Sequence, residues 1–125
     1  MIKSEFEMNG KLVCDLSYLT ELMEGKAKLI VGIMDAFLEQ IPDELFHLKN
    51  AIMKTDYATI KNYAHTMKSS VSIMGISVLI PILQEMEDLG TNAISIKTIK
   101  ELNKKLILLC NQAIEEIKKE KQKFI

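Results

Sequence analysis

The chain has 125 residues, 48% hydrophobic and 26% charged, which is the composition of a folded globular domain and not of a fibre or a disordered tail. Sixteen basic against seventeen acidic residues leave a formal net charge of -1, and there is no Trp, so neither a positive field nor a stacking surface favours nucleic acid. The opening residues interleave charges with apolar side chains, unlike a secretory signal, and the strongest apolar stretch, 76–83, is far short of the ~20 residues that cross a bilayer. These features predict a single cytoplasmic domain over residues 1–125 without membrane contact. Cys14 and Cys110 lie in no metal-like spacing and suit buried free thiols in a reducing compartment, with a disulfide between them left open.

Gly and Pro are rare, and apolar residues recur at three- and four-residue spacing, so the elements read as amphipathic helices. A short first helix should follow the cap-like Asp15, bury Leu16, Leu19, Leu22 and Met23, and stop near Gly25. A second, over about 26–40, places Leu29, Ile30, Ile33, Met34, Phe37 and Ile41 toward the core. Pro42 marks a break or a kink before a helix over about 43–54 carrying Leu45, Leu48 and Ile52. Asp56 should cap the next helix, about 57–74, whose stripe is Ile60, Tyr63, Ala64, Met67, Val71 and Met74 and whose end is Gly75. Ser77 is the expected cap of a helix carrying Leu79, Ile82, Leu83, Met86 and Leu89, with Pro81 tolerated in its first turn and Gly90 as its stop. A last helix, about 95–121, repeats Ile99, Leu102, Leu106, Leu109, Ala113 and Ile117 and ends in lysines that suit the helix dipole. The fold expected is all-α, an antiparallel four-helix bundle with an additional short N-terminal helix or helices.

At ~100° per residue, His65 falls on the outer face of its helix with Ser69 and Ser72, and Lys68 lies one turn further along. By itself this describes a solvent-facing histidine among surface polar residues. The surrounding run is more specific. Ala64-His65-Thr66-Met67-Lys68-Ser69-Ser70, followed by Gly75, Leu79, Met86-Glu87 and Leu89-Gly90, resembles the signature of histidine phosphotransfer domains, Ala-His-x-hydrophobic-Lys-Gly-Ser with a glycine ten residues after the histidine. Upstream, Asp15-Leu-Ser-Tyr-Leu, Phe37-Leu-x-x-Ile-Pro and Ala51 with Asp56 are similar to the family's leading helices, so the resemblance spans about 15–90.

The resemblance implies a phosphoryl carrier without kinase activity of its own, either free-standing or part of a sensor histidine kinase. It would take phosphoryl from an aspartate of one receiver domain onto His65 Nε2 and pass it to another, its partners being response regulators or a hybrid kinase. A neutral imidazole is nucleophilic without a special base, and Lys68 matches the lysine that offsets charge on the phosphoryl oxygens. Glu87 resembles the glutamate that, in the chemotaxis-kinase phosphotransfer domain, accepts a hydrogen bond from Nδ1 of the histidine; Gln84 is the alternative from the same helix. Ser69 departs from the family's usual glycine, a change that touches affinity and partner choice. Receiver docking is expected on Ser69, Ser72, Lys61, Ile73 and Ile76, the last two as apolar residues outside the core stripe. No cofactor is expected in this chain, the Mg²⁺ of transfer belonging to the receiver, and the chain should act as a monomer.

Two other readings compete. Glu44-Leu-Phe-His47 has the Glu-x-x-His spacing of di-iron bundles, but Asn62 stands where the motif's second glutamate would precede His65, which argues against a metal site. A helical adaptor or dimerisation module built on the last helix is the alternative from another class, and it would be indifferent to substitution of His65.

Overall fold

The computed structural model describes residues 12–125. They form five helices, α1 (Ser17–Leu22), α2 (Ala27–Met53), α3 (Tyr57–Ile73), α4 (Leu79–Asn92) and α5 (Ile96–Lys121), and a closing 3₁₀ turn at Gln122–Phe124. No strand occurs among the described residues. The opening residues, read above as unlike a secretory signal, lie outside the described residues.

Residues 26–54, expected as two helices around Pro42, are one. Pro42 sits inside α2, where it removes an N–H from the ladder and leaves the carbonyl four residues earlier without its partner. Pro42 faces solvent, and the buried Phe37, Ile41, Leu48, Ala51 and Ile52 lie on both sides of it along one stripe. Burial of those side chains outweighs a helix penalty of ~3 kcal/mol, since each fully buried large apolar side chain contributes about 1.5–3 kcal/mol.

The entry and exit of α3 follow local chemistry. Asp56 accepts from Thr59 N at 3.2 Å and from Thr59 Oγ1 at 2.6 Å, which satisfies an orphan amide at the N-terminus. At the other end Gly75 adopts φ +67°, and Ile76 N bonds back to Val71 O at 2.9 Å, the six-to-one bond of a glycine-terminated helix. A Cβ at Gly75 would also lie 1.8 Å from Asp15 O. The two assignments at α4 differ from expectation. Ser77 makes no side-chain cap, since Val78 is the N-cap residue and only the Ser77 carbonyl is used, accepting from Ile80 N. Gly90 lies inside α4, which runs on to Asn92 and closes on Ala93 in the left-handed region at φ 52°.

The four long helices form a closed ring in which α2 packs on α3 and α5, and α4 packs on α3 and α5. Short connections at 54–56, 74–78 and 93–95 force consecutive helices to run antiparallel. The core is a single cluster that includes Ile30, Met34, Phe37, Ile60, Met67, Leu83, Met86, Leu106 and Ile117. Ile76, expected as a docking residue, is fully buried in that cluster, because the chain leaves the helical period at Gly75 and turns the side chain inward. Leu29, expected in the core, is half exposed at the first turn of α2, and Leu22 is likewise exposed near the end of α1. Both thiols are free; Cys110 is buried and Cys14 half-buried. Burial pushes the Cys110 thiol up to about 12 and raises the Cys14 thiol as well, so neither is a ready thiolate.

Residues 13–15 are pinned between two helices. Val13 N and Cys14 N donate to the two carboxylate oxygens of the buried Glu116 on α5, each at 2.8 Å, and Asp15 N donates to Gly75 O at 2.9 Å. The segment thus joins the end of α3 to α5.

Candidate functional site

The apolar stripe of α3, Ile60, Ala64, Met67 and Val71, is buried and turns the opposite side of the helix to solvent. His65 lies on that open side, its side chain 69% exposed. On α4 the buried stripe is Leu79, Leu83, Met86 and Gly90, and Glu87 sits at its edge, 17% exposed and turned toward α3. Gly90 is what lets the helices meet there: a Cβ on it would fall 3.1 Å from Lys61 Cβ, Lys61 N and Tyr57 O of α3. Lys61 precedes His65 by one turn and Gly90 follows Glu87 by one turn, so this close crossing sets the spacing across which the two side chains meet.

His65 Nδ1 is 3.0 Å from Glu87 Oε2. The other carboxylate oxygen, Oε1, ion-pairs with Lys68 Nζ at 2.6 Å. Lys68 Nζ also donates to Gln84 Oε1 at 2.7 Å, and Gln84 Nε2 donates to Asp88 Oδ1 at 2.9 Å. The Lys68 ammonium beside Glu87, helped by the bond to His65, holds its carboxyl below the usual carboxylate range against the opposing effect of burial. An ionised Glu87 can only accept, so Nδ1 of a neutral His65 ring carries the proton and Nε2 keeps its lone pair. With Nδ1 turned to α4 and the side chain exposed, Nε2 faces solvent. Such a ring is oriented and nucleophilic, and it sits on an open helix face, where a second protein can reach it.

The remaining expected residues divide clearly. Lys61, Ser69 and Ser72 are exposed on the His65 side of α3, and Ser72 Oγ donates to Lys68 O at 2.7 Å. Ile73 is half-buried, and with Ile33, Ala36, Phe37 and Gln40 of α2 it lines a shallow apolar recess between α2 and α3. Ile76 is not on this face. Gln84 does not touch His65; its contact is with Lys68. That role of Gln84, and its bond to Asp88, went unread in the sequence, although Gln84, Glu87 and Asp88 stand at i, i+3 and i+4 on one helix face.

His47 does not join the site. Its ring stacks on Tyr63 at 5.8 Å and its Nε2 is 3.4 Å from Asp43 Oδ1. No three His, Cys, Asp or Glu side chains converge as a metal-ligand group among the described residues. No helix among the described residues is long and apolar enough to cross a membrane.

The chain superimposes on the crystal structure of histidine-containing phosphotransfer protein B (HptB) from Pseudomonas aeruginosa PAO1 with a TM-score of 0.81 and 21% sequence identity, covering 88% of this chain and 95% of that one. At that identity the likeness concerns the fold. No curated protein matches the sequence. The family model of the Hpt domain matches residues 32–120, which contain α3, α4, most of α2 and nearly all of α5. The chain therefore belongs to the Hpt domain family, the phosphocarriers of histidine phosphotransfer in phosphorelay signalling.

Proposed function

We propose that His65 is the residue that carries the phosphoryl group, accepting it at Nε2 from a phospho-aspartate of one receiver domain and yielding it to an aspartate of another. The observation that carries this reading is the 3.0 Å contact of Nδ1 with Glu87 on a side chain that is otherwise 69% exposed. It fixes the tautomer and leaves one ring nitrogen available to a partner.

In the transfer the O–P bond of the acyl phosphate breaks as Nε2–P forms, and the aspartate leaves as carboxylate with the bonding pair. The ring keeps its Nδ1 proton and becomes cationic beside the ionised Glu87, which stabilises the product. Lys68 stands one turn away, within reach of the phosphoryl oxygens. The receiver supplies the aspartate and the Mg²⁺ that neutralises the phosphoryl group, so this chain needs no cofactor and has no kinase activity of its own. Receivers dock over Ser69 and Ser72, with Lys61 and Ile73 at the fringe. The chain acts as a monomer in the cytoplasm.

The test is incubation with a receiver domain loaded by acetyl phosphate. The wild-type chain should acquire an acid-labile, alkali-stable label that His65→Gln does not acquire. Label on the substituted protein at the wild-type rate would refute the assignment.

A further inference from the structure

We propose that Gln84 is a positioning residue that holds Lys68 on Glu87 in the unphosphorylated protein, so that the strength of this hold sets the equilibrium of phosphoryl transfer. The inference rests on the reading of His65 as the carrier.

Lys68 has two described partners, both on α4: Glu87 Oε1 at 2.6 Å and Gln84 Oε1 at 2.7 Å. The amide of Gln84 is oriented by its second bond, Nε2 to Asp88 Oδ1 at 2.9 Å. Reversing that amide would set its NH₂ against an ammonium and its oxygen against a carboxylate, both repulsive, so the network admits one orientation. Asp88, Gln84, Lys68, Glu87 and His65 thereby form a continuous polar chain across α3 and α4. The Lys68 side chain is only 21% exposed despite lying beside an open face, which reflects how closely this chain holds it.

Phosphorylation changes the two partners of Lys68 unequally. Once Nε2 bears the phosphoryl group, the ring is a cation, and Glu87 has a full positive charge at Oε2 to replace the one it loses when Lys68 moves toward the phosphoryl oxygens. The exchange at Glu87 is close to charge-neutral. Gln84 gains no such replacement: Lys68 is the charged donor to its amide oxygen among the described residues, and once Lys68 leaves only water, a weaker donor, takes its place. The contact that opposes release of Lys68 is therefore the Gln84 hydrogen bond, with Asp88 keeping its acceptor in place. Weakening this contact should favour phospho-His65, and strengthening it should favour return of the phosphoryl group to the receiver.

The experiment uses the full chain and a receiver domain loaded by acetyl phosphate, with the ratio of phospho-His65 to phospho-receiver read at equilibrium. Gln84→Ala should raise that ratio about three-fold, the scale of one exposed hydrogen bond to a charged group. Gln84→Glu, which adds a charge to the acceptor, should lower it. In a Lys68→Met background both effects should vanish, because Gln84 acts through Lys68. The Lys68 ammonium protons should exchange with water faster in Gln84→Ala than in the wild type by NMR. Gln84 is exposed, and unchanged far-UV circular dichroism will show that the variants fold. A ratio unaltered by Gln84→Ala, or an effect that persists without Lys68, overturns the inference while leaving His65 as the carrier. A wild-type chain that accepts no phosphoryl group, with phospho-receiver present, overturns both.

Discussion

Gly90→Ala sets two effects against each other at one position. Inside a helix, alanine is favoured over glycine by about 1 kcal/mol, so propensity alone predicts a more stable protein. The added Cβ would stand 3.1 Å from Lys61 N, Lys61 Cβ and Tyr57 O, some tenths of an ångström inside ordinary contact. All three atoms belong to the backbone of α3 or are fixed directly to it, so no flexible side chain can swing aside and the helices themselves must separate. Overpacking of this kind costs about 1–3 kcal/mol. The expected balance is a loss of about 1 kcal/mol, which for a domain of this size lowers Tm by roughly 3–6 °C. The same displacement lies one turn from both Lys61–His65 and Gly90–Glu87 registers, so the Nδ1 contact should lengthen and the transfer rate should fall. Urea unfolding followed by circular dichroism measures the first effect, and the NMR signal of the His65 Nδ1 proton reports the second. A Gly90→Ala protein as stable as the wild type or more so, with an unchanged His65 signal, would refute the claim that this crossing spaces the site.

Gly75→Ala should be more damaging, by about 2 kcal/mol or more, since φ +67° disfavours a side chain and the new Cβ would overlap Asp15 O; accelerated amide exchange at Asp15 and a lower urea midpoint are the readouts. Glu87→Gln, whose amide oxygen can still accept from Nδ1 but carries no charge to stabilise the imidazolium, should slow phosphorylation of His65 roughly ten-fold, measured as the rate of labelling from a phospho-receiver. Because Lys68 holds the Glu87 carboxyl below its ordinary value, the stability it contributes is fully present above the ordinary carboxylate range of ~4.3 and is lost as pH falls through the depressed value. The stability difference between wild type and Glu87→Gln should therefore shrink as pH falls below the ordinary carboxylate range, and a difference that grew on acidification would contradict the assigned direction. Pro42→Ala should restore an N–H to the middle of α2 and stabilise the protein by about 1–3 kcal/mol, less what proline removes from unfolded-state entropy; a fall in Tm on this substitution would show that the proline ring itself contributes to packing.

The bundle was legible because its stripes are periodic over many turns, and α3 shows how well this works: Ile60, Ala64, Met67 and Val71 are buried, and His65 and Ser69 are exposed as the helical angle requires. The errors fall where something other than periodicity decides. Pro42 has a strong local preference against a helix interior, yet the apolar residues before and after it belong to one continuous stripe, and tertiary burial wins. Extending the helical angle past Gly75 puts Ile76 outside the core stripe, but the backbone has already left the helix there. Gly90 near a helix end suggests a stop, the commoner use of glycine there, whereas in the fold it allows close approach to α3, which depends on a neighbour distant in the sequence. Within the site, the family signature singled out His65, Lys68 and Glu87. Gln84 enters the sequence reading only as an alternative partner of His65, whereas its contact is with Lys68 across the two helices.

The pinning of residues 13–15 has a bearing on the order in which the molecule assembles. The acceptors for Val13 and Cys14 lie 103 and 102 positions away on α5, whereas α3 and α4 are neighbours in the chain with a connection of a few residues. For a bare chain, closing a loop of about a hundred residues costs on the order of 4 kcal/mol of entropy, more than two hydrogen bonds to a carboxylate offset comfortably. Once α2 to α5 have packed, most of that loop is already closed and only residues 13–26, α1 included, remain to be ordered. The α3–α4 hairpin that brings His65, Lys68 and Glu87 together can thus form early from local contacts, and the N-terminal clasp docks onto a bundle that already exists.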